Sequence, residues 1–338
     1  MKICVFMTIV MAVCLVACKH DKNAIVRIDN PEHILVTDSI YSRLPGSMFY
    51  QDGIIYWQDA LSAENFIHAI EVSTGKELYS FGNMGDGPEE FAFPLFSLSS
   101  TSGLYISDLK KNLEILYQID KDSDTLNVSI GTYENKTEAK RIIHLGDDEI
   151  LYFFPNKEKP FEIYRNGACV SSGNLPLDEH VTNGNDVYQG SVVYNPKNAY
   201  LVYSTFGFPY MAVYHWENNK PVLKKELKTP VEYTILEKEL KLDNKDAEGT
   251  MELALTANYI VALQRDKVVE GEMPKAKYAR DMSTLPRSLF VYDYDLNLIK
   301  IINMPFPLLR LCGDFDSDDC YIIGANPEFE ILKINLAD

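Results

Sequence analysis

The sequence predicts an all-β fold, a six-bladed β-propeller of four-stranded antiparallel blades. Three observations support this prediction: two strand patterns that alternate along the chain, and one strand missing from the last repeat. The first pattern is a short apolar strand after a turn, at residues 54–57, 104–106, 150–153, 200–203, 259–262 and 320–323. Most of these strands recur at an interval of about fifty residues, which is the size of a propeller blade.

The second pattern is a hairpin, in which an alternating strand, a polar turn and a further strand follow each apolar strand. Its alternating strands lie at residues 66–72, 113–119, 161–164, 210–216 and 289–294. Period-two alternation with short polar turns is typical of antiparallel hairpins. The last alternating strand, residues 329–334, has no partner after it. We therefore expect an N-terminal strand, at residues 24–28 or 33–37, to complete the sixth blade and close the ring.

The composition fits one large β domain over residues 24–338. The chain has 338 residues, of which 46% are hydrophobic, and its length alone would also suit two compact domains. Its net charge of −17 argues against binding to nucleic acid and against attraction to an anionic membrane by charge. We expect a monomer.

The first residues predict a lipoprotein signal peptide over residues 1–17, followed by a lipidated tether over 18–23. An apolar run ends in Leu15, Val16, Ala17 and Cys18, and polar residues follow at once. This order resembles the bacterial lipobox, which implies cleavage before Cys18 and lipid attachment to its sulfur. The alternative is an ordinary secretory signal in which Cys18 has no special role. Because no acidic run follows Cys18, we expect the periplasmic side of the outer membrane rather than the cell surface.

Two segments interrupt the repeat, and both fall in the fifth blade. Residues 230–249 precede its first strand, and a short helix is expected within them at 234–242. Residues 266–287 separate its second and third strands. In a propeller these connections lie on one face, called here the loop face, together with the long connection 173–190. Long loops on one face are a usual place for binding, and neutral loop growth is the alternative.

The glycine-rich stretch 81–94, FGNMGDGPEEFAFP, predicts a tight connection between the first two blades. A phosphate-binding loop would need a helix after the glycines, whereas Pro88 and two carboxylates follow here. The stretch resembles the blade junctions of NHL-type six-bladed propellers. Residues 188–198 and 290–295 are similar to segments of the TolB-like six-bladed propeller lipoproteins of gut anaerobes. The resemblance covers nearly the whole mature chain and implies the fold and an anchored location, but no catalytic residues and no cofactor.

Local motifs for metal binding or catalysis are absent from the sequence. No histidines have metal-ligand spacing, and His144 on an innermost strand is the one attractive ligand, with a structural role as the alternative. The aspartates of 314–319 faintly resemble a calcium loop but lack its glycine and distal glutamate. No serine-hydrolase elbow occurs. Cys312 and Cys320 flank one turn, either as buried thiols or as a cross-strand disulfide.

The second strand of each blade ends on the loop face, which predicts a rim of binding residues around one mouth. The predicted ligand-binding residues are Trp57, Asp108, Phe206, Gln264, Arg265, Arg280 and Arg287, and the rim also includes Asp59, Lys110, Phe154 and Asn326. Such aromatic, arginine and amide groups suit a glycan, a peptide or an envelope protein, and plain solvation is the alternative for each. The sequence thus favours a binding lipoprotein without catalysis. The alternative is an extracytoplasmic lyase or hydrolase, with a carbohydrate or peptide substrate, at the same mouth.

Overall fold

The computed structural model describes residues 25–132, 138–146, 149–177, 179–243 and 248–337. The predicted signal peptide, Cys18 and the tether 18–23 lie outside the described residues. The described chain begins with two strands, β1 (Val26–Asp29) and β2 (Ile34–Ile40), whose partners are formed late in the sequence.

Six antiparallel sheets then follow in chain order, each running from an innermost to an outermost strand. Blade one contains β3 (Pro45–Gln51), β4 (Ile54–Asp59), β5 (Ile67–Glu71) and β6 (Glu77–Phe81). Blade two contains β7 (Pro94–Phe96), β8 (Leu104–Asp108), β9 (Leu113–Asp120) and β10 (Thr125–Thr132). Blade three contains β11 (Arg141–Gly146), β12 (Glu149–Phe153), β13 (Phe161–Arg165) and β14 (Ala168–Ser172).

The second half of the ring repeats this plan. Blade four contains β15 (Gly190–Asn195), β16 (Tyr200–Thr205), β17 (Tyr210–Glu217) and β18 (Lys220–Lys228), and a separate hairpin of β19 (Tyr233–Leu236) and β20 (Glu239–Leu242) follows it. Blade five contains β21 (Glu252–Leu255), β22 (Tyr259–Gln264), β23 (Ser288–Asp293) and β24 (Leu298–Asn303). Blade six contains β25 (Leu308–Gly313), β26 (Asp319–Ala325) and β27 (Phe329–Asn335).

The N-terminal strands close the ring and confirm the predicted six-bladed propeller. β2 pairs antiparallel with β27 and supplies the fourth strand of blade six. β1 pairs in parallel with β24 and extends blade five to five strands. Both predicted N-terminal segments are therefore strands, but only the second completes the last blade. Pairing strands from the two ends of the chain leaves no open edge at the closure of the ring.

The core lies between the blades. Each of the six interfaces between neighbouring blades contains one cluster of buried apolar side chains. Successive side chains of a strand pack against the two neighbouring blades in turn: Tyr56 packs toward blade two, whereas Trp57 packs toward blade six. This follows from the period-two alternation of side chains in a strand. Each blade is thus apolar on both faces, and its polar side chains collect at the turns and along the central axis.

The prediction of a short helix at 234–242 is wrong, because this segment forms the β19–β20 hairpin. Its turn has positive φ at Glu237 (53°) and Lys238 (68°), the geometry of a type I′ hairpin. Leucine, glutamate and lysine are good helix formers, so local propensity favoured the helix. Tertiary contacts decide otherwise: Leu240 is buried against blade four, and its backbone exchanges two hydrogen bonds with the Asn183 side chain.

Three short helical segments lie in the loop-face connections of the described chain. A single helical turn, Gly184–Val187, lies in the connection between blades three and four. The helix Lys267–Glu270 and the 3-10 helix Met282–Thr284 lie in the insertion of blade five. Within the described ranges, no helix is both long enough and apolar enough to cross a membrane.

Candidate functional site

A cavity of about 300 Å³ opens on the axis of the propeller and is lined by residues from all six blades. One lining residue from each blade, in order, is Gln58, Leu95, Arg141, Phe206, Glu252 and Arg310. Most of them lie where a first strand begins or a second strand ends. Those strand ends meet on the loop face, so the cavity is the mouth that the blade order predicts.

Three charged side chains converge in this cavity from the innermost strands of blades three, five and six. Nη1 of Arg310 lies 3.5 Å from Oε2 of Glu252. The same arginine donates hydrogen bonds from Nε to the Gly46 carbonyl oxygen (3.0 Å) and from Nη1 to the Leu309 carbonyl oxygen (2.9 Å). Arg141 donates from Nη1 to the Lys140 carbonyl oxygen (3.0 Å). Backbone carbonyl groups therefore hold both guanidinium groups in place.

Burial and mutual charge shift the pKa values of these groups. Burial raises the pKa of Glu252 above its ordinary value, and the positive charges of Arg310 and Arg141 offset only part of that rise. Burial lowers the pKa of Arg141, which Glu252 partly opposes and Arg310 reinforces. One carboxyl group thus pairs with Arg310 and is also influenced by the charge of Arg141, in a partly buried site where the Arg310 and Glu252 side chains are 25% and 16% exposed.

This arrangement has two chemical capabilities. Two guanidinium groups against one carboxylate leave a net positive charge, which suits an anionic ligand. A carboxyl group with a raised pKa, next to groups that stabilise charge, is also a usual general acid or base. The donor set does not suit calcium, which takes six to eight oxygen ligands. In the part of the chain that the structure describes, no cluster of three or more His, Cys, Asp or Glu residues could hold a metal ion.

The family model for TolB-like 6-blade propeller-like proteins matches residues 27–307. The chain belongs to this family. A solved structure with the same fold is regucalcin from Agrobacterium tumefaciens strain C58, described as a calcium-binding protein, with a TM-score of 0.50 and 10% sequence identity. The match covers 92% of this chain and 95% of that one. No curated protein sequence matches the chain.

Of the predicted ligand-binding residues in this TolB-like propeller, only Phe206 lines the axial cavity. Gln264 donates from Nε2 to the Thr250 hydroxyl (2.7 Å), beside the cavity wall rather than in it. Trp57 is 2% exposed, stacks on His68 with ring centroids 4.3 Å apart, and lies between blades one and six. Phe154 is likewise buried, between blades two and three. These two aromatic rings contact neighbouring blades, because the side chains of a sheet project from its two faces and each face of a blade meets the next blade.

Asp108 has a structural task at the junction between blades one and two. It is fully buried, and its carboxylate accepts hydrogen bonds from the backbone N–H groups of Ala92 (2.5 Å), Phe93 (2.8 Å), Lys110 (2.9 Å) and Lys111 (3.2 Å). All four of those donors lie at a strand end or in the stretch 81–94. The predicted tight connection is therefore held by a buried carboxylate, which leaves Asp108 no capacity for a ligand.

Lys111 holds the glycine-rich stretch from its other side. Its Nζ donates to the carbonyl oxygens of Gly85 (3.2 Å), Gly87 (2.5 Å) and Glu90 (2.6 Å). Carbonyl oxygens that converge on one ammonium group are the opposite of a phosphate cradle, in which N–H groups point inward. Within the stretch only Gly82 has a positive φ (81°), the left-handed conformation that favours glycine.

The charged residues of the blade-five insertion mostly bind one another. Glu270 is almost fully buried, and its carboxylate accepts hydrogen bonds from Nη1 of Arg265 (3.2 Å), the backbone N–H of Arg287 (3.0 Å) and the Ser288 hydroxyl (2.6 Å). Arg265 also donates from Nη2 to the Thr284 carbonyl oxygen (2.7 Å). Arg265 and Arg287 therefore anchor the insertion, whereas Arg280 is exposed. The insertion is also tied to β1, because Arg27 pairs with Asp266.

The remaining rim residues lie on the surface outside the cavity. Asp59 accepts a hydrogen bond from the Ser42 hydroxyl (2.8 Å). Lys110 is exposed, with its Nζ 3.8 Å from the centroid of the Phe93 ring. Asn326 is exposed and donates to Glu330. None of these three lines the axial cavity.

His144 and the carboxylates of the acidic turn 314–319 contact other protein groups. His144 stacks on Tyr105 with ring centroids 3.7 Å apart, and its Nε2 lies 3.0 Å from Oε2 of Glu114. In the turn, Asp316 pairs with Lys197 (2.9 Å) and Asp318 accepts from the backbone and side chain of Asn258. The carboxylates of the turn thus hold neighbouring turns together. Cys312 and Cys320 are free, buried thiols, as in the first of the two alternatives.

The sequence reasoning missed Arg141, Glu252 and Arg310, the charged groups of the cavity. Each lies in a first strand that is otherwise mostly apolar: Arg141 and Glu252 begin β11 and β21, and Arg310 is the third residue of β25. A charge near the start of the first strand in three blades would have pointed to the axis. The prediction used the ends of the second strands instead, and several residues there stabilise turns.

Proposed function

We propose that the protein is a cell-envelope lipoprotein whose propeller binds a small polar ligand in the axial cavity. The observation that carries the proposal is the convergence of Arg141, Glu252 and Arg310, from three blades, in a cavity open to the loop face. Burying charged groups costs several kcal/mol of folding free energy each, in order of magnitude, unless geometry compensates. A ligand that completes their pairing would offset that cost.

The lipid anchor is the part of the proposal that rests on residues 1–23. The lipobox-like sequence ending in Cys18 supports attachment to the outer membrane, facing the periplasm. The test is fractionation of cells that produce the wild type, Cys18→Ala or Cys169→Ser. We expect Cys18→Ala alone to leave the membrane fraction and to lose incorporation of labelled palmitate. Retention of Cys18→Ala in the membrane fraction would contradict the anchor.

Ligand capture tests the cavity directly. Purified soluble protein is incubated with a low-molecular-weight extract of the cell envelope, separated by gel filtration and denatured, and the released compounds are identified by mass spectrometry. The variant Ser191→Trp fills the cavity, because Ser191 lines it, and Asn326→Trp serves as a matched control on the outer rim. We expect compounds that the wild type and Asn326→Trp retain and Ser191→Trp does not. Identical compounds from all three proteins would exclude the cavity as the binding site.

A second candidate function is an extracytoplasmic lyase or hydrolase that acts on a carbohydrate or a peptide in the same cavity. The raised pKa of Glu252, beside two guanidinium groups, favours it, because a carboxyl that holds its proton more tightly than usual next to charge-stabilising groups suits acid–base catalysis. Envelope polysaccharides and peptides are incubated with the wild type and Glu252→Gln, and new reducing ends, new double bonds and new amines are measured. Turnover by the wild type that Glu252→Gln loses would establish this function in place of binding alone.

A further inference from the structure

The charges of the axial cavity define the class of ligand that it takes. We infer that the cavity binds a small organic molecule carrying a single carboxylate, which pairs with Arg141 and Arg310. This inference rests on the proposed binding function and names its ligand class. Its first basis is a charge count: two guanidinium groups and one carboxylate, that of Glu252, leave one positive charge unbalanced among these three groups. One added carboxylate balances them.

The hydrogen bonds of the two arginines leave donors for such a ligand. A guanidinium group has five N–H donors in a planar fork that fits a carboxylate. Arg141 makes one hydrogen bond within the described residues, to the Lys140 carbonyl oxygen. Arg310 directs its Nε and Nη1 to backbone carbonyl groups, and Nη1 is also the atom nearest Glu252. Nη2 of Arg310 and most of the Arg141 fork are thus available to an incoming anion.

The cavity walls favour an organic acid over an inorganic anion. Leu95, Phe96, Leu98, Met251 and Phe206 line the same space as the arginines. A carbon skeleton can cover these apolar surfaces, which phosphate cannot do. A phosphate dianion would also place two negative charges beside Glu252, whereas a carboxylate adds one. Sugar acids and short hydroxy acids have the required composition and fit a volume of about 300 Å³.

Ionised Glu252 competes with a carboxylate ligand for the arginines, which predicts the direction in which affinity changes with pH. The charged groups that face Glu252 are Arg310 on β25 and Arg141 on β11. When Glu252 is ionised it competes with the ligand for both guanidinium groups, and when it is protonated both are free to pair. Affinity should therefore increase as pH falls through the raised pKa of Glu252. A purely structural role for the three residues would not produce this pH dependence.

The experiment is calorimetric titration of the soluble protein with D-galacturonate and L-lactate. D-Galactose and D-galactosamine are matched neutral and cationic controls for the sugar acid, and inorganic phosphate is the control for an anion without a carbon skeleton. The variants are Arg141→Gln, Arg310→Gln, Arg141→Lys and Glu252→Gln, each checked by circular dichroism and thermal unfolding. Arg141→Lys keeps the charge but loses the planar fork, so it remains informative if the glutamine variants do not fold.

We expect wild-type protein to bind at least one of the two carboxylates and neither galactose nor galactosamine. The arginine-to-glutamine variants should bind it about tenfold more weakly or worse, because each removes charge-assisted hydrogen bonds, and Arg141→Lys should weaken it less. Glu252→Gln should bind several-fold more tightly and lose the pH dependence. The inference is overturned if galactose, galactosamine or phosphate binds as well as the carboxylates, or if Arg141→Gln and Arg310→Gln leave affinity unchanged. It is also overturned if neither carboxylate binds to the wild type or to Glu252→Gln.

The experiments distinguish a cavity that binds a different class of ligand from a cavity that binds no ligand. A neutral or cationic compound recovered from the envelope extract by the wild type, but not by Ser191→Trp, would refute the carboxylate and retain the cavity as a binding site. Recovery of no compound that depends on the cavity, together with no binding of either carboxylate, would refute both.

Discussion

Nη1 of Arg310 and Oε2 of Glu252 lie 3.5 Å apart, on the innermost strands of blades six and five. The two residues are more than fifty positions apart in the chain, and the ring of blades brings them to one axis. Arg141, from blade three, acts on the same carboxyl group.

The variant Glu252→Gln should become more stable relative to the wild type as pH rises. Below the ordinary glutamate pKa of 4.5, the carboxyl is protonated in both folded and unfolded wild-type chains, and this group then gives no pH dependence. Its folded-state pKa is raised, so the wild type loses stability as pH increases from 4.5 through that pKa. The loss amounts to about 1.4 kcal/mol for each unit between the two pKa values. Urea unfolding at a series of pH values measures it, and parallel stability curves for the two proteins would contradict a raised pKa.

Asp108→Asn should loosen the junction between blades one and two. Its carboxylate accepts four backbone hydrogen bonds, and an amide group would turn a donor toward some of those N–H groups. We expect a loss of about 1–3 kcal/mol in the free energy of unfolding and faster amide hydrogen exchange in residues 82–94. Asp122→Asn, the same change at an exposed aspartate in the turn after β9, is the control and should change neither quantity. Unchanged amide exchange in Asp108→Asn would show that residues 82–94 are held in place without the Asp108 carboxylate.

Glu270→Gln should release the blade-five insertion. The side chains of Arg265 and Glu270 are 4% and 2% exposed, so the variant removes the nearer counter-charge of a buried guanidinium and leaves only Glu248, 3.7 Å from Nε of Arg265. Breaking a buried pair costs about 3–5 kcal/mol, and Glu248 offsets part of that loss. Limited proteolysis should then cleave within residues 271–280 much faster than in the wild type. Glu272→Gln breaks only the exposed pair with Lys267 and should be cleaved at the wild-type rate; equal protection of both variants would show that the pair does not hold the insertion.

The thiols of Cys312 and Cys320 should not react in the folded protein. Burial raises the pKa of Cys320 to about 12 and the pKa of Cys312 well above its usual range, so neither forms the reactive thiolate near neutral pH. A thiol reagent applied to native protein that begins at residue 19 should label only Cys169, which is exposed. Denaturation should expose the other two thiols, and Cys169→Ser should abolish native labelling. Rapid native labelling of Cys169→Ser would contradict the buried positions.

The sequence alone determined the blades and their order. Period-two alternation and turn residues reflect contacts between residues that are close in the chain. These local patterns recur in each blade, so the six blades can be counted from the sequence. Closure of the last blade by an N-terminal strand was expected for the same reason, since the last repeat lacked one strand. The choice between residues 24–28 and 33–37 was left open, and the structure selects β2, which pairs with β27. The β19–β20 hairpin was missed because leucine, glutamate and lysine favour a helix locally, whereas contacts of Leu240 with distant residues select the hairpin.

Only the tertiary structure decided which side chains reach the axis. Trp57 and Gln58 are neighbours in β4, yet the ring is buried between two blades and the amide lines the cavity. Asp108 is recognisable as the end of a strand, but its four backbone partners, and hence its structural role, depend on how the stretch 81–94 folds over it. Arg141, Glu252 and Arg310 belong to separate repeats and meet only when the ring closes. The pairing of charges far apart in sequence depends on distance in space, which no local pattern encodes.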